Sequence, residues 1–191
     1  MTSADPPWAH EKTAVQPPDP AWADRARHEC ARLSALLAPW LADGVEHVGS
    51  TAVPGLAAKP VLDIMASVTD PDAVVEQASP RLAADGWRYV PPELDSGGSW
   101  RRFFVKPDAA GQRRVAHLHV IAAGHPRWAE QLAFRDALRR DSRLAADYAQ
   151  LKRRLAREHG ADREAYTAAK GAFVAAALRS VPGPENQPSG R

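Results

Sequence analysis

Apolar residues recur along this chain with two alternating periods, and the order in which the periods change predicts the fold. Ala26, Cys30, Leu33, Leu37 and Trp40 are spaced by three and four, which places them on one stripe of an amphipathic helix. Asp19-Pro20 supplies its start, a side-chain acceptor followed by a proline in the first turn, and Pro39 with Asp43-Gly44 is expected to end it. The period then shortens to two. Val45 to Val48 reads as a short strand and Val61 to Val68 as a longer one, with Leu62, Ile64, Ala66 and Val68 on one face and Asp63, Met65 and Ser67 on the other.

Asp70-Pro71 opens a second helix through Val74, Val75 and Ala78, kinked or restarted at Pro80 and stopped at Asp85-Gly86. Trp87 to Val90, Trp100 to Lys106 and Arg114 to Ala122 are three further strands, the last two joined by a turn at Asp108 to Gly111. In the fourth strand Arg102, Phe104 and Lys106 share a face. In the fifth, His117, His119 and Ile121 lie opposite Ala116, Leu118 and Val120. Three helices close the chain: Pro126 to Arg140, a stripe of Leu144, Tyr148, Leu151 and Leu155, and a stripe of Tyr166, Ala169, Phe173 and Ala176. The expectation is one α/β (α+β) domain over residues 19–181, a mixed sheet of about five strands flanked by helices with a C-terminal helical segment. Residues 1–18, rich in proline, are expected to be a flexible lead-in, and 182–191 a disordered tail.

Composition narrows the function classes. The 25 Lys and Arg against 23 Asp and Glu leave a formal charge of only +2, which gives no case for nucleic-acid binding. No apolar run approaches the roughly 20 residues of a membrane span, and the proline-bearing N-terminus lacks the pattern of a secretory signal, so a cytoplasmic location is expected. The single cysteine, Cys30, excludes an internal disulfide and sits on the apolar stripe of the first helix as a core residue.

Candidate chemistry gathers around residues 47–68. An acid inside a run of strand formers needs a partner or a metal, because a buried carboxylate is otherwise costly. Asp63 is that acid, with the Gly49-Ser50 turn and Lys59 just ahead of it, a combination suited to an anionic ligand with a divalent ion. His117 and His119 point the same way along one strand. With Asp63 they could hold a single Zn2+, Mn2+ or Fe2+, one of them could act as a general base, or both could simply line a cleft. Arg102 and Lys106 could line the same cleft or form exposed edge charge. Arg135 could reach the site or form a structural ion pair, the second being favoured, and Lys152 and Lys170, each four residues from a tyrosine, could reach a ligand.

The run HVGSTAVPGLAAKPVLDI, with HLHV at His117 to Val120, FRDAL at Phe134 to Leu138, Tyr148 to Lys152, and Tyr166 with Lys170, resembles the GrpB family. Members of that family are similar to the nucleotidyltransferase (DNA polymerase β-like) fold, and related domains occur fused to dephospho-CoA kinase in some bacteria. The resemblance implies that Gly49 and Ser50 bind nucleotide phosphates and that Asp63 is the first of two metal-holding acids. Met65 stands where the second would be, and a thioether is a poor donor to Mg2+. The expected function is therefore binding of a nucleotide or other phosphorylated small molecule, with transfer of a nucleotidyl group to a small acceptor. The expected cofactor is a divalent ion, Mg2+ or Mn2+ ahead of Zn2+. The alternatives are a binding module that has lost catalysis and a single-metal enzyme built on Asp63, His117 and His119.

Overall fold

In the computed structural model, which describes residues 6–10, 14–95, 97–158 and 163–180, the alternating segments form one five-stranded sheet. The strands are β1 (Leu41–Val48), β2 (Leu62–Val68), β3 (Arg88–Val90), β4 (Arg102–Pro107) and β5 (Arg114–Ala122), in the spatial order β1-β2-β5-β4-β3. Only the central β2–β5 pair is parallel; the other three pairs are antiparallel. That parallel register sets Asp63 beside His117 and Met65 beside His119, so the acid and the imidazoles emerge from the middle of the sheet on one face.

The opposite face is the main core. Leu62, Ile64, Ala66 and Val68 of β2, Ala116, Leu118 and Val120 of β5 and Phe104 of β4 cluster with Trp22, Ala26, Leu33 and Leu37 of α1 (Ala21–Leu37). Leu33 and Leu37 are fully buried, and each such side chain stabilises the fold by roughly 1.5–3 kcal/mol. The Asp19 carboxylate accepts the Ala21 amide at 2.9 Å at the start of α1. Cys30 packs against the core cluster, and burial, with help from Glu46 and Glu29, pushes its thiol up to about 11. It stays protonated at neutral pH and is a packing residue.

The second helical stretch is three pieces in line: α2 (Pro71–Ala73), a π-helical turn (Val74–Ala78) and α3 (Ser79–Ala84). Asp70 accepts the amides of Asp72 and Ala73, both at 3.0 Å, which caps the start. Pro80 has no amide to donate, and the wider turn before it absorbs the break.

Several expectations need correction. Asp43-Gly44 does not end α1; it lies within β1, where Gly44 takes φ +106° at an irregularity in the β1–β2 register and the Ser67 hydroxyl donates to Asp43 at 2.5 Å. The fourth strand begins at Arg102, which leaves Trp100 and Arg101 outside the ladder. Where the lead-in is described, Gln16 bridges Ala58, and the Arg114 guanidinium donates to the carbonyls of Trp8 and Ala9 at 3.1 and 3.3 Å. Residues 1–5, 11–13 and the tail from 182 lie outside the described residues.

Lys106 does not share the cleft with Asp63. It points to the helix-covered face, where its ammonium donates to both oxygens of Glu29 at 2.8 Å and to Asp85 at 3.1 Å, above the ring of Trp87. Replacing Lys106 with Met should destabilise the fold by about 2 kcal/mol. That is less than the roughly 3–5 kcal/mol of breaking a fully buried pair, because Arg32 still reaches Asp85. Urea denaturation of Lys106→Met checks this, and a change below about 0.5 kcal/mol would remove Lys106 from the structural role.

The chain divides into two compact units, residues 1–129 and 130–191. The boundary falls inside α4 (Pro126–Arg140), and α5 (Ser142–Glu158) and α6 (Arg163–Ser180) belong to the second unit. There the Tyr148 ring lies between Phe134, 5.2 Å away edge-on, and Phe173, 5.4 Å away and stacked. In α6 Phe173 packs as expected, and only the last position of the stripe differs, with Ala177 buried and Ala176 exposed. The side chains of Tyr166 and Ala169 lie outside the described residues. Among the described residues no helix is long and apolar enough to cross a membrane.

Candidate functional site

The site is built on the parallel central pair β2 and β5 and on the turn that leaves the edge strand β1. Val48 of β1 pairs with Asp63 of β2, so the turn that leaves β1 passes directly beside the acid. Gly49 makes that turn at φ +72°, and a Cβ placed on it would lie 2.5 Å from Asp63 Oδ2. Ser50 to Ala52 then form a single 3-10 turn, anchored by Thr51, whose hydroxyl donates to the Val61 carbonyl at 3.3 Å and contacts His47 Nε2 at 2.9 Å. The residue-49 glycine is therefore a steric requirement of the acid's position.

From the other side, His117 Nδ1 lies 3.0 Å from Asp63 Oδ1 and His119 Nε2 lies 3.6 Å from the same oxygen. The two imidazoles are almost enclosed, 14% and 13% exposed, while 35% of the Asp63 side chain is open. The carboxylate is thus the part of the cluster that solvent and ligands reach. His117 Nε2 is buried with no hydrogen-bond partner among the described residues.

Burial pushes the Asp63 carboxyl up, but the hydrogen bond from His117 and the close approach of His119 outweigh it and hold the group well below the usual carboxylate range. Burial pushes both histidines down, His119 to about 4, against the opposing pull of Asp63. The Arg101 charge adds to the fall at His119, and those of Arg114 and Lys59 add to it at His117. At neutral pH the cluster is one ionised carboxylate with two neutral imidazoles. Its ligand atoms lie within 4.8 Å of one another, and among the described residues it is the one group of three or more such side chains so placed. Donor type and spacing fit a single divalent transition ion.

Sequence reasoning did not single out a further ring of residues. Arg101 Nη1 contacts His119 Nδ1, and the same guanidinium is held by Asp95 through Nε at 2.9 Å and Nη2 at 2.7 Å. Trp100 lies parallel to His119 with ring centres 5.9 Å apart, and Phe103 lies beside both histidines at 5.2 and 5.3 Å. Arg101 and Asp95 sit six apart in a glycine-rich loop, where no period reveals a shared pocket.

The expected site residues therefore divide. Gly49, Asp63, His117 and His119 come together, Ser50 follows Gly49 in the same turn, and the Lys59 charge is felt at His117. Arg102 does not join them: it alternates with Phe103 onto the other face of β4 and donates to Asp72 at 2.6 Å. Lys152 and Lys170 belong to the second unit, where Lys152 is buried with its ammonium 5.0 Å from the centre of the Tyr148 ring and Lys170 is half-buried. Arg135 pairs with the neighbouring Asp136 at 2.8 Å, the structural role expected for it.

Residues 12–180 match the family described as GrpB protein. The chain is 38% identical over 192 residues to a UPF0157 protein of Pseudomonas aeruginosa, an alignment that covers 93% of this chain and 75% of that one. It is 31% identical over 191 residues to a dephospho-CoA kinase of Mycolicibacterium paratuberculosis, covering 86% of this chain and 47% of the kinase. Among solved structures, GrpB from Enterococcus faecalis superposes with a TM-score of 0.73 at 30% identity, over 87% of this chain and 98% of that chain. Cid1, which has RNA terminal uridylyl transferase activity, superposes with a TM-score of 0.50 at 16% identity, over 75% of this chain and 43% of Cid1, a likeness of fold alone. The match over nearly the whole chain and the shared mixed sheet lead to one conclusion: this chain belongs to the GrpB family and has a nucleotidyltransferase-like fold.

Proposed function

We propose that the chain binds a nucleotide or other phosphorylated small molecule beside Asp63 and transfers a nucleotidyl group from it to a small acceptor. The observation that carries this reading is the contact between Gly49 and the Asp63 carboxylate, which puts the turn, the acid and the two imidazoles at one place. In this reading Gly49 and Ser50 hold phosphate and Lys59 offsets its charge. Asp63, the most open member of the cluster, accepts a hydrogen bond from the acceptor hydroxyl and orients it, and His117, donating to Asp63 through Nδ1, and His119 hold that carboxylate in place.

A divalent ion would be held by Asp63, His117 and His119, and when bound it would supply charge neutralisation to the phosphate. The imidazoles favour Mn2+ or Zn2+ over Mg2+.

Asp63→Asn keeps the shape and removes the charge. Calorimetric titration with nucleoside triphosphates and Mn2+ should show at least about tenfold weaker binding in this variant, equivalent to about 1.4 kcal/mol. Unchanged affinity would reject the reading. A second reading, a nucleotide-binding module without turnover, is favoured by Met65, which is 1% exposed and occupies the position of a second acid. Tight nucleotide binding that is independent of metal and yields no product would establish it instead.

A further inference from the structure

We propose that Arg101 is a positioning residue that fixes the tautomer of His119 and so withholds that imidazole from cation binding until the guanidinium is displaced. A guanidinium can only donate hydrogen bonds, so the His119 Nδ1 it touches must carry the lone pair. The ring is neutral, since an imidazolium would present a second N–H, and a like charge, to the same guanidinium. Its one proton is therefore on Nε2, the nitrogen that faces Asp63 Oδ1.

Ligation through Nε2 needs the opposite arrangement, with the lone pair on Nε2 and the proton on Nδ1. That proton would then point at Arg101, donor against donor. A metal-ligating histidine ordinarily gives its other N–H to a carboxylate, a carbonyl or water, and here the outer partner has the wrong polarity. His117 differs: the Asp63 carboxylate accepts its Nδ1–H, which leaves the Nε2 lone pair without a partner among the described residues. Two histidines that look equivalent in sequence are thus held in opposite tautomers.

Arg101 is not a loosely held side chain. It is 10% exposed, it donates twice to an Asp95 that is itself 7% exposed, and the Gly97 amide donates to the same carboxylate at 2.8 Å. The guanidinium lies 4.0 Å above the centre of the Phe103 ring. Gly97 leaves the space it needs, because a Cβ there would lie 2.0 Å from Arg101 Nη2. Releasing Arg101 means giving up all of these contacts together.

The tautomer follows from geometry, and only its consequence for metal affinity rests on the cation reading above. The test uses the full chain with 15N-labelled histidine, His119 being assigned by the signal lost in His119→Gln, together with Zn2+ calorimetry. Wild type should carry its His119 proton on Nε2. In Arg101→Gln the glutamine oxygen can accept from Nδ1, so the proton should move there and Zn2+ should bind about tenfold tighter or more. Arg101→Lys keeps a donor and should behave as wild type. If Arg101→Gln fails to fold by circular dichroism, the double variant Arg101→Gln/Asp95→Asn, which leaves no stranded carboxylate, takes its place. A wild-type proton on Nδ1, or equal Zn2+ affinity in wild type, Arg101→Gln and Arg101→Lys, overturns the proposal. A tautomer that shifts as described with no Zn2+ binding in any chain upholds the role of Arg101 and removes the cation from the proposed function.

Discussion

Gly49→Ala is expected to destabilise the protein by about 3 kcal/mol or more and to lower its affinity for nucleotide with it. Two costs combine at this position. The backbone, at φ +72° and ψ −168°, lies in a region open essentially to glycine alone, which costs an alanine about 1–3 kcal/mol. The new methyl group also meets Asp63, with Oδ2 at 2.5 Å and the Asp63 Cβ at 3.0 Å, in a strand that cannot shift without losing its pairing on both sides. Gly44→Ala separates the two costs. Its φ of +106° is also unfavourable, but nothing among the described residues lies within 4 Å of its added Cβ, so it should lose only about 1–2 kcal/mol and leave ligand binding intact. Equal losses in the two variants, measured by urea denaturation, would mean that the turn and the acid are not in contact.

Acidification should unfold the protein in two stages, beginning well above the carboxylate range. His119 is held neutral to about pH 4 in the folded chain, whereas an unfolded histidine takes a proton near 6.5. Between those values the unfolded state binds more protons, so stability falls as pH is lowered from about 6.5 to 4. His119 alone accounts for a loss of about 3 kcal/mol, and His117 shifts in the same direction. Below about pH 4 a second loss sets in. Burial opposes the ionisation of Asp63 and Asp95, but His117 and His119 beside the first and the hydrogen bonds from Arg101 to the second hold both carboxyls below their unfolded values. The stability they contribute above their unfolded pKa is lost as pH falls through their folded ones. Urea midpoints at pH 7, 5.5 and 4 measure the first stage, and His119→Gln should flatten it. A stability unchanged between pH 7 and 4.5 would show that the imidazoles are not enclosed as described.

How much of this was written in the sequence depends on the range over which each signal acts. Local signals were sufficient for the elements: β5 and α4 lie where alternation and the proline at position 126 placed them, and Asp70 caps its helix as its type suggested. Asp43-Gly44 misled because an acid followed by glycine usually ends an element. Here the Ser67 hydroxyl, distant in the chain, holds the acid inside a strand. The isolated acid of β2 was legible for the same reason that it matters, since a carboxylate among strand formers must be compensated by something.

By itself, the sequence determined the order and periods of the elements, the family, and the identity of one acid and two imidazoles facing the same way. Those properties follow from residue type and from repeats of two or 3.6, which act between neighbours in the chain. Only the tertiary structure decided that β2 and β5 are parallel neighbours, which sets Asp63 against His117. It also turned Arg102 and Lys106 away from the acid and brought Arg101 onto His119. Strand register and loop closure depend on packing between residues far apart in sequence, and hydrogen-bond polarity, on which the two histidines differ, exists only once the partners have met.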